Sequence, residues 1–106
     1  MAPWLQKLFL PLLQLAPDWE KTFATHQTEA REVALPPDVF ARLAAAMSDR
    51  LAKAAESGVQ PAFVTSGLRR RFLRTVLAAK GLTTPVLAYE EIGLEARPAI
   101  IGQVPA

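Results

Sequence analysis

Apolar and polar residues change their spacing several times along this chain, and the changes fall at prolines and glycines, which punctuate elements without interrupting them. Leu10 to Leu15 is a short apolar run closed by Ala16-Pro17; it predicts a buried strand, preceded by a helical turn through Trp4, Leu5 and Leu8. Asp18 is placed to cap a short helix carrying Trp19, Phe23 and Ala24, because its carboxylate can accept from the free amides of a first turn. That helix fades near His26. Residues 27–32 are polar and loop-like, and Val33 to Leu35 predicts a short extended piece before Pro36-Pro37.

From Asp38 to Ser57 the residues Phe40, Leu43, Met47, Leu51 and Ala54 recur at three and four, the spacing of one helical stripe, and Gly58 is suited to end it in the left-handed conformation. Ala62-Phe63-Val64 predicts a strand. Ser66-Gly67 then leads into a second amphipathic helix with Leu68, Phe72, Leu73, Val76 and Leu77, closed by Gly81. Val86 to Ile92 and Ala99 to Val104 predict two more strands, separated by a loop with Gly93 and Pro98.

The predicted order is β, α, α, β, α, β, β. This is an α/β (or α+β) chain, a small two-layer sandwich of about four strands with helices packed on the sheet. The final pair of strands is expected to form a hairpin-like edge. Residues 1–9 read as a lead-in and residues 10–106 as a single domain.

Composition narrows the function classes. A chain of 106 residues, 51% hydrophobic and 21% charged, supports one globular core. The absence of cysteine excludes disulfides, thiol nucleophiles and Cys-ligated metals. A net charge of +2 does not demand nucleic acid as a partner. The Leu-rich start is interrupted by Lys7 and Pro11 and is too short to span a bilayer, which takes about 20 apolar residues. It reads as a core or partner-packing segment, with an interfacial helix as the alternative.

No residue set assembles into a catalytic constellation, a metal site or a cofactor site. His26, the only histidine, sits alone in a polar loop. Glu90 and Glu91 are adjacent carboxylates, but successive strand residues point to opposite faces, so one is expected to cap a turn and the other to face solvent. Thr65-Ser66-Gly67 followed by Arg69, Arg70 and Arg71 is the most suggestive local feature, since a helix start with arginines nearby attracts anions. The spacing of a P-loop is missing, and Ser66 reads as a plain N-cap. Arg70, Arg71 and Arg74 lie close together on the helix, as a solvated face or a surface that meets another protein.

The order of several segments carries a further signal: Leu12-Leu13-Gln14-Leu15-Ala16-Pro17-Asp18-Trp19-Glu20, Ala34-Leu35-Pro36-Pro37, Pro61-Ala62-Phe63-Val64-Thr65-Ser66, Leu68-Arg69 with Phe72-Leu73-Arg74, Pro85-Val86-Leu87-Ala88-Tyr89-Glu90-Glu91-Ile92, and Ile101-Gly102-Gln103-Val104. Together they resemble the C-terminal end of the FlhA-like export-gate family of flagellar and virulence type III secretion. The resemblance implies the last of several cytoplasmic subdomains in a ring of subunits, with no bond chemistry, at the cytoplasmic face of the inner membrane. It implies that other subdomains and subunits are partners, with export substrates and chaperones docking on the shared platform. The membrane-spanning half of the family is absent, so the sequence is read as an excised piece or a stand-alone relative, on the flagellar side. The candidate contact residues are Trp4, Leu5, Leu8, Arg70, Arg71 and Arg74. The alternative is a small anion- or nucleotide-binding domain using the Ser66-Gly67 helix start with Arg70 and Arg71.

Overall fold

The computed structural model describes residues 9–106. Strand β1 (Leu10–Leu15) is followed by helices α1 (Pro17–Thr25) and α2 (Pro37–Glu56), β2 (Ala62–Thr65), α3 (Gly67–Ala79), β3 (Val86–Ala88) and, after two 3-10 turns at Tyr89–Glu91 and Leu94–Ala96, β4 (Pro98–Val104). Pro17 occupies the first turn of α1, where a missing N–H costs nothing. The residue ahead of that helix is Ala16, so Asp18 does not cap it and instead lies within the first turn, near the positive end of the helix dipole. Gly58 and Gly81 both adopt positive φ, 72° and 70°, and stop α2 and α3. At each stop the next residue closes the last turn: Val59 N–H donates to Ala54 O and Leu82 N–H to Leu77 O.

The sheet has the order β3-β2-β1-β4, and every pairing is parallel. The chain is therefore α/β. In register, Leu13 pairs with Phe63 and Leu12 with Ala62. The odd-numbered β1 face meets the three helices, and Leu13, Phe63, Val86 and Val104 pack there with Trp19, Phe23, Leu43, Met47, Leu73, Val76 and Leu77 in one core. Leu12, Ala62 and Val64 form a smaller cluster on the opposite face with Leu10, Leu87 and Ile92. Parallel sheets bury both faces, and this one does so unequally.

Two strand expectations are corrected. The run from Val86 leaves the sheet after Ala88, because Glu91 Oε1 accepts the Ala88 N–H at 2.9 Å and Ile92 N–H donates back to Tyr89 O. The hairpin-like edge does not form: β3 and β4 are the two opposite edges of the sheet. Passing from β1 to β2 to β3 moves in one direction with helices on one face. A connection of the same hand that returns to the far side of β1 must cross the other face, and Ile92 packs on that face. At β4 the register with β1 shifts between Ile100 and Gly102, so Ile101 is the extra residue of a bulge. A side chain at Gly102 would meet Leu13 Cδ2 at 3.0 Å, which explains glycine beside that core leucine.

Candidate protein-contact surface

The four arginines that open α3 have three different fates, decided by helical geometry. Arg69 faces inward and is 2% exposed. Its Nε and Nη2 donate to the Glu20 carboxylate at 3.0 and 2.8 Å, its Nη1 donates to Gln27 Oε1 at 2.6 Å, and its guanidinium lies 5.9 Å from the Phe23 ring centre. A fully paired arginine of this kind ties α3 to α1, so it is withdrawn from the basic patch that the spacing suggested. Arg70 is half-buried. Its Nε donates to Val86 O at 3.1 Å and its Nη1 pairs with Glu91 Oε1 at 2.8 Å, fastening α3 to the end of β3. Arg71 and Arg74 are exposed, and neither guanidinium forms an ion pair with another described residue.

The helix start that suggested anion binding is already satisfied. Glu90 Oε1 accepts the Gly67 N–H at 3.1 Å, placing a carboxylate where a phosphate oxygen would sit. Ser66 makes no side-chain cap bond, in contrast to the expected N-cap. Glu90 and Glu91 therefore both act as caps, one for α3 and one for the 3-10 turn. With Arg70 held by Glu91, the anion reading keeps Arg71 alone. His26 is half-buried and closes α1: its N–H donates to Thr22 O and Phe23 O, and its carbonyl accepts from Ala34 N–H. Among the described residues no three His, Asp or Glu side chains gather as a metal site.

In open α/β sheets ligands enter outside the carboxyl ends of the strands, where the strand order reverses. Here that place lies between β1 and β4, and Trp19 fills it. Its ring is fully buried and its Nε1 donates to Pro105 O at 2.9 Å. A shallow hollow of about 340 Å³ beside it is lined by Leu15, Glu20, Thr65, Ser66 and Tyr89.

The larger concavity, about 720 Å³ and open on one side, runs between residues 30–35 and the first half of α3. Leu35, Phe40, Leu68 and Phe72 supply its apolar lining, and Arg31 and Arg71 also line it. Leu68, expected on the buried stripe of α3, is 49% exposed. Phe40 was legible as a stripe residue of α2 and Leu35 as part of a short extended piece, but their place beside α3, and that of Arg31, was not, because the 28–32 turn that brings residues 30–35 there has no periodic signal. Of the other contact candidates, Trp4, Leu5 and Leu8 lie outside the described residues.

A family model described as the FHIPEP family matches residues 4–97. The chain belongs to the FHIPEP family. Flagellar biosynthesis protein FlhA of Caulobacter vibrioides is 30% identical over 98 residues, which cover 90% of this chain and 14% of that relative. Among solved structures, this FHIPEP-family chain is similar to nonameric SctV-C of EPEC (TM-score 0.72, 16% identity, 91% of this chain and 29% of that one). It is also similar to MxiA of Shigella flexneri (TM-score 0.70, 13% identity, 90% and 30%) and to CdsV of Chlamydia pneumoniae (TM-score 0.71, 19% identity, 91% and 28%). These structures share its fold, and the FHIPEP-family chain spans under a third of each. Among the described residues, no helix is long and apolar enough to cross a membrane.

Proposed function

We propose that this chain is a packing and docking subdomain of a type III protein export gate, of the flagellar branch, working at the cytoplasmic face of the membrane by binding and without bond chemistry. The family match across residues 4–97 carries the reading. The likeness to a nonameric SctV-C supports neighbouring subunits as partners. Export substrates and their chaperones are the transient partners of this proposal. The unpaired Arg71 and Arg74, projecting from a helix whose other arginines are committed internally, are the contact residues. Glu90 on the start of α3, Glu91 on the turn after β3 and Trp19 in the crevice leave the outer surface as the binding mode this reading favours.

The test is a photo-crosslinking amino acid placed at Arg74 of the chain in its own cells. Adducts with export-gate subunits, or with export chaperones, are expected. A folded chain that yields no adduct with any export component overturns the reading.

A further inference from the structure

The groove between residues 30–35 and α3 has an apolar lining and a positive rim. Leu68 is half exposed, and Phe40 and Phe72 meet edge to face with ring centres 6.4 Å apart. Arg31 holds φ at 63°, the left-handed region that side chains seldom adopt. Its turn is pinned by hydrogen bonds from Arg31 N–H to Thr28 O at 2.9 Å and from Thr28 N–H to Glu32 O at 2.7 Å. Arg71 lines the groove from α3, and Arg74 follows one helical turn on, outside the lining. Glu32 is the acidic side chain among the described lining residues and pairs with neither arginine, so two guanidiniums stand in the lining against one carboxylate. Glu90, at the Gly67 end, is occupied by the helix start.

We propose that this groove receives an acidic amphipathic segment of a protein partner, whose apolar side chains cover Leu68, Phe72 and Phe40 while its carboxylates meet Arg31 and Arg71. Two observations select this occupant. An exposed leucine flanked by partly buried aromatics offers an apolar strip to a segment with one apolar face. Two guanidiniums without carboxylate partners complement negative charge and penalise a basic or neutral segment. A small ligand is a poorer fit, because a site for one surrounds most of its surface, whereas this groove is open along one side. The inference deepens the docking role proposed above and rests on it, supplying the chemistry of the partner.

The experiment uses the full chain and a fluorescein-labelled synthetic peptide with leucines at i, i+3, i+4 and i+7 and glutamates elsewhere. Matched peptides carry glutamine or lysine in place of glutamate, and a leucine-free polyglutamate and a single-stranded oligonucleotide complete the set. Anisotropy should show saturable binding of the Glu/Leu peptide that weakens with added salt. Arg71→Glu with Arg31→Glu should weaken it by about tenfold or more, whereas Arg74→Glu changes it less. Leu68→Ala should weaken it without removing its salt dependence. Each variant is checked by thermal melting, since these exposed side chains carry little of the fold.

Equal binding of the glutamine or lysine peptide overturns the proposal. So does equal binding of polyglutamate or the oligonucleotide, which would reduce the groove to a charged patch. Loss of peptide binding alongside persistent crosslinks at Arg74 to the export gate rejects this groove and leaves the subdomain role standing.

Discussion

Glu90 caps a helix that begins 23 residues before it: its Oε1 accepts the N–H of Gly67, and that bond couples the turn after β3 to the start of α3. Glycine at position 67 leaves room for this carboxylate, whereas helix geometry does not demand it, because its φ is not in the positive region. A Cβ there would run directly into Glu90 Oε1, the movable end of a side chain.

A double-mutant cycle on this pair should be non-additive. Glu90→Ala is expected to cost about 0.5–1.5 kcal/mol, the range for a lost cap. Gly67→Ala in the native background should also destabilise, because the carboxylate has to leave. In the Glu90→Ala background the same substitution should be neutral or stabilising, since alanine is the better helix former by about 1 kcal/mol. Urea denaturation of the four proteins measures the coupling.

The Arg69–Glu20 pair should respond unequally to loss of either partner. The Arg69 side chain is 3% exposed and that of Glu20 56% exposed. Removing Glu20 strands a buried guanidinium with Gln27 alone, and Glu20→Ala is expected to cost about 3 kcal/mol, the lower end for breaking a buried pair. Arg69→Met leaves a carboxylate that water can reach and keeps an apolar stem beside Phe23, so about 1–2 kcal/mol is expected. A larger loss for Arg69→Met by chemical denaturation would contradict the pairing geometry.

Arg70 and Arg74 look alike in sequence and should separate in the test tube. Arg70→Ala removes the bonds to Val86 O and Glu91 and is expected to lower stability by about 1–2 kcal/mol. Arg74→Ala should stay within about 0.5 kcal/mol of the parent, as for a surface change without partners. Their melting temperatures, compared at one pH and salt concentration, provide the check.

Trp19→Phe keeps most of the ring volume but removes the donor to Pro105 O. A loss of about 1–2 kcal/mol is expected, together with faster amide exchange around β4. Exchange confined to α1 would show that the indole serves packing alone.

Hydrophobic patterning located β1, β2 and the three helices well, because each helix buries a stripe of local period and the two strands, covered on both faces, are short apolar runs. Pairing order was less legible. Nothing in the residues after Ala88 states that the chain must cross the sheet to reach the far side of β1, and the hairpin expectation came from sequence adjacency. The surface was misread where charge type stood in for position. Arg69 carries the same residue name as Arg71, and only the helical phase relative to Glu20 and Gln27 turns it inward. The groove was invisible for a different reason: its two walls come from residues 30–40 and 67–75, whose approach is a tertiary fact.

The last strand of the sheet lies against the first, with Val104 fully buried and the Pro105 carbonyl on Trp19. A nascent chain on the ribosome thus leaves one edge of β1 unpaired, and one end of the core open, until Pro105 has cleared the exit tunnel. Folding of this domain is tied to the emergence of its final strand, and stalled or truncated translation products would display an unfinished parallel sheet to the chaperones and proteases of the cell.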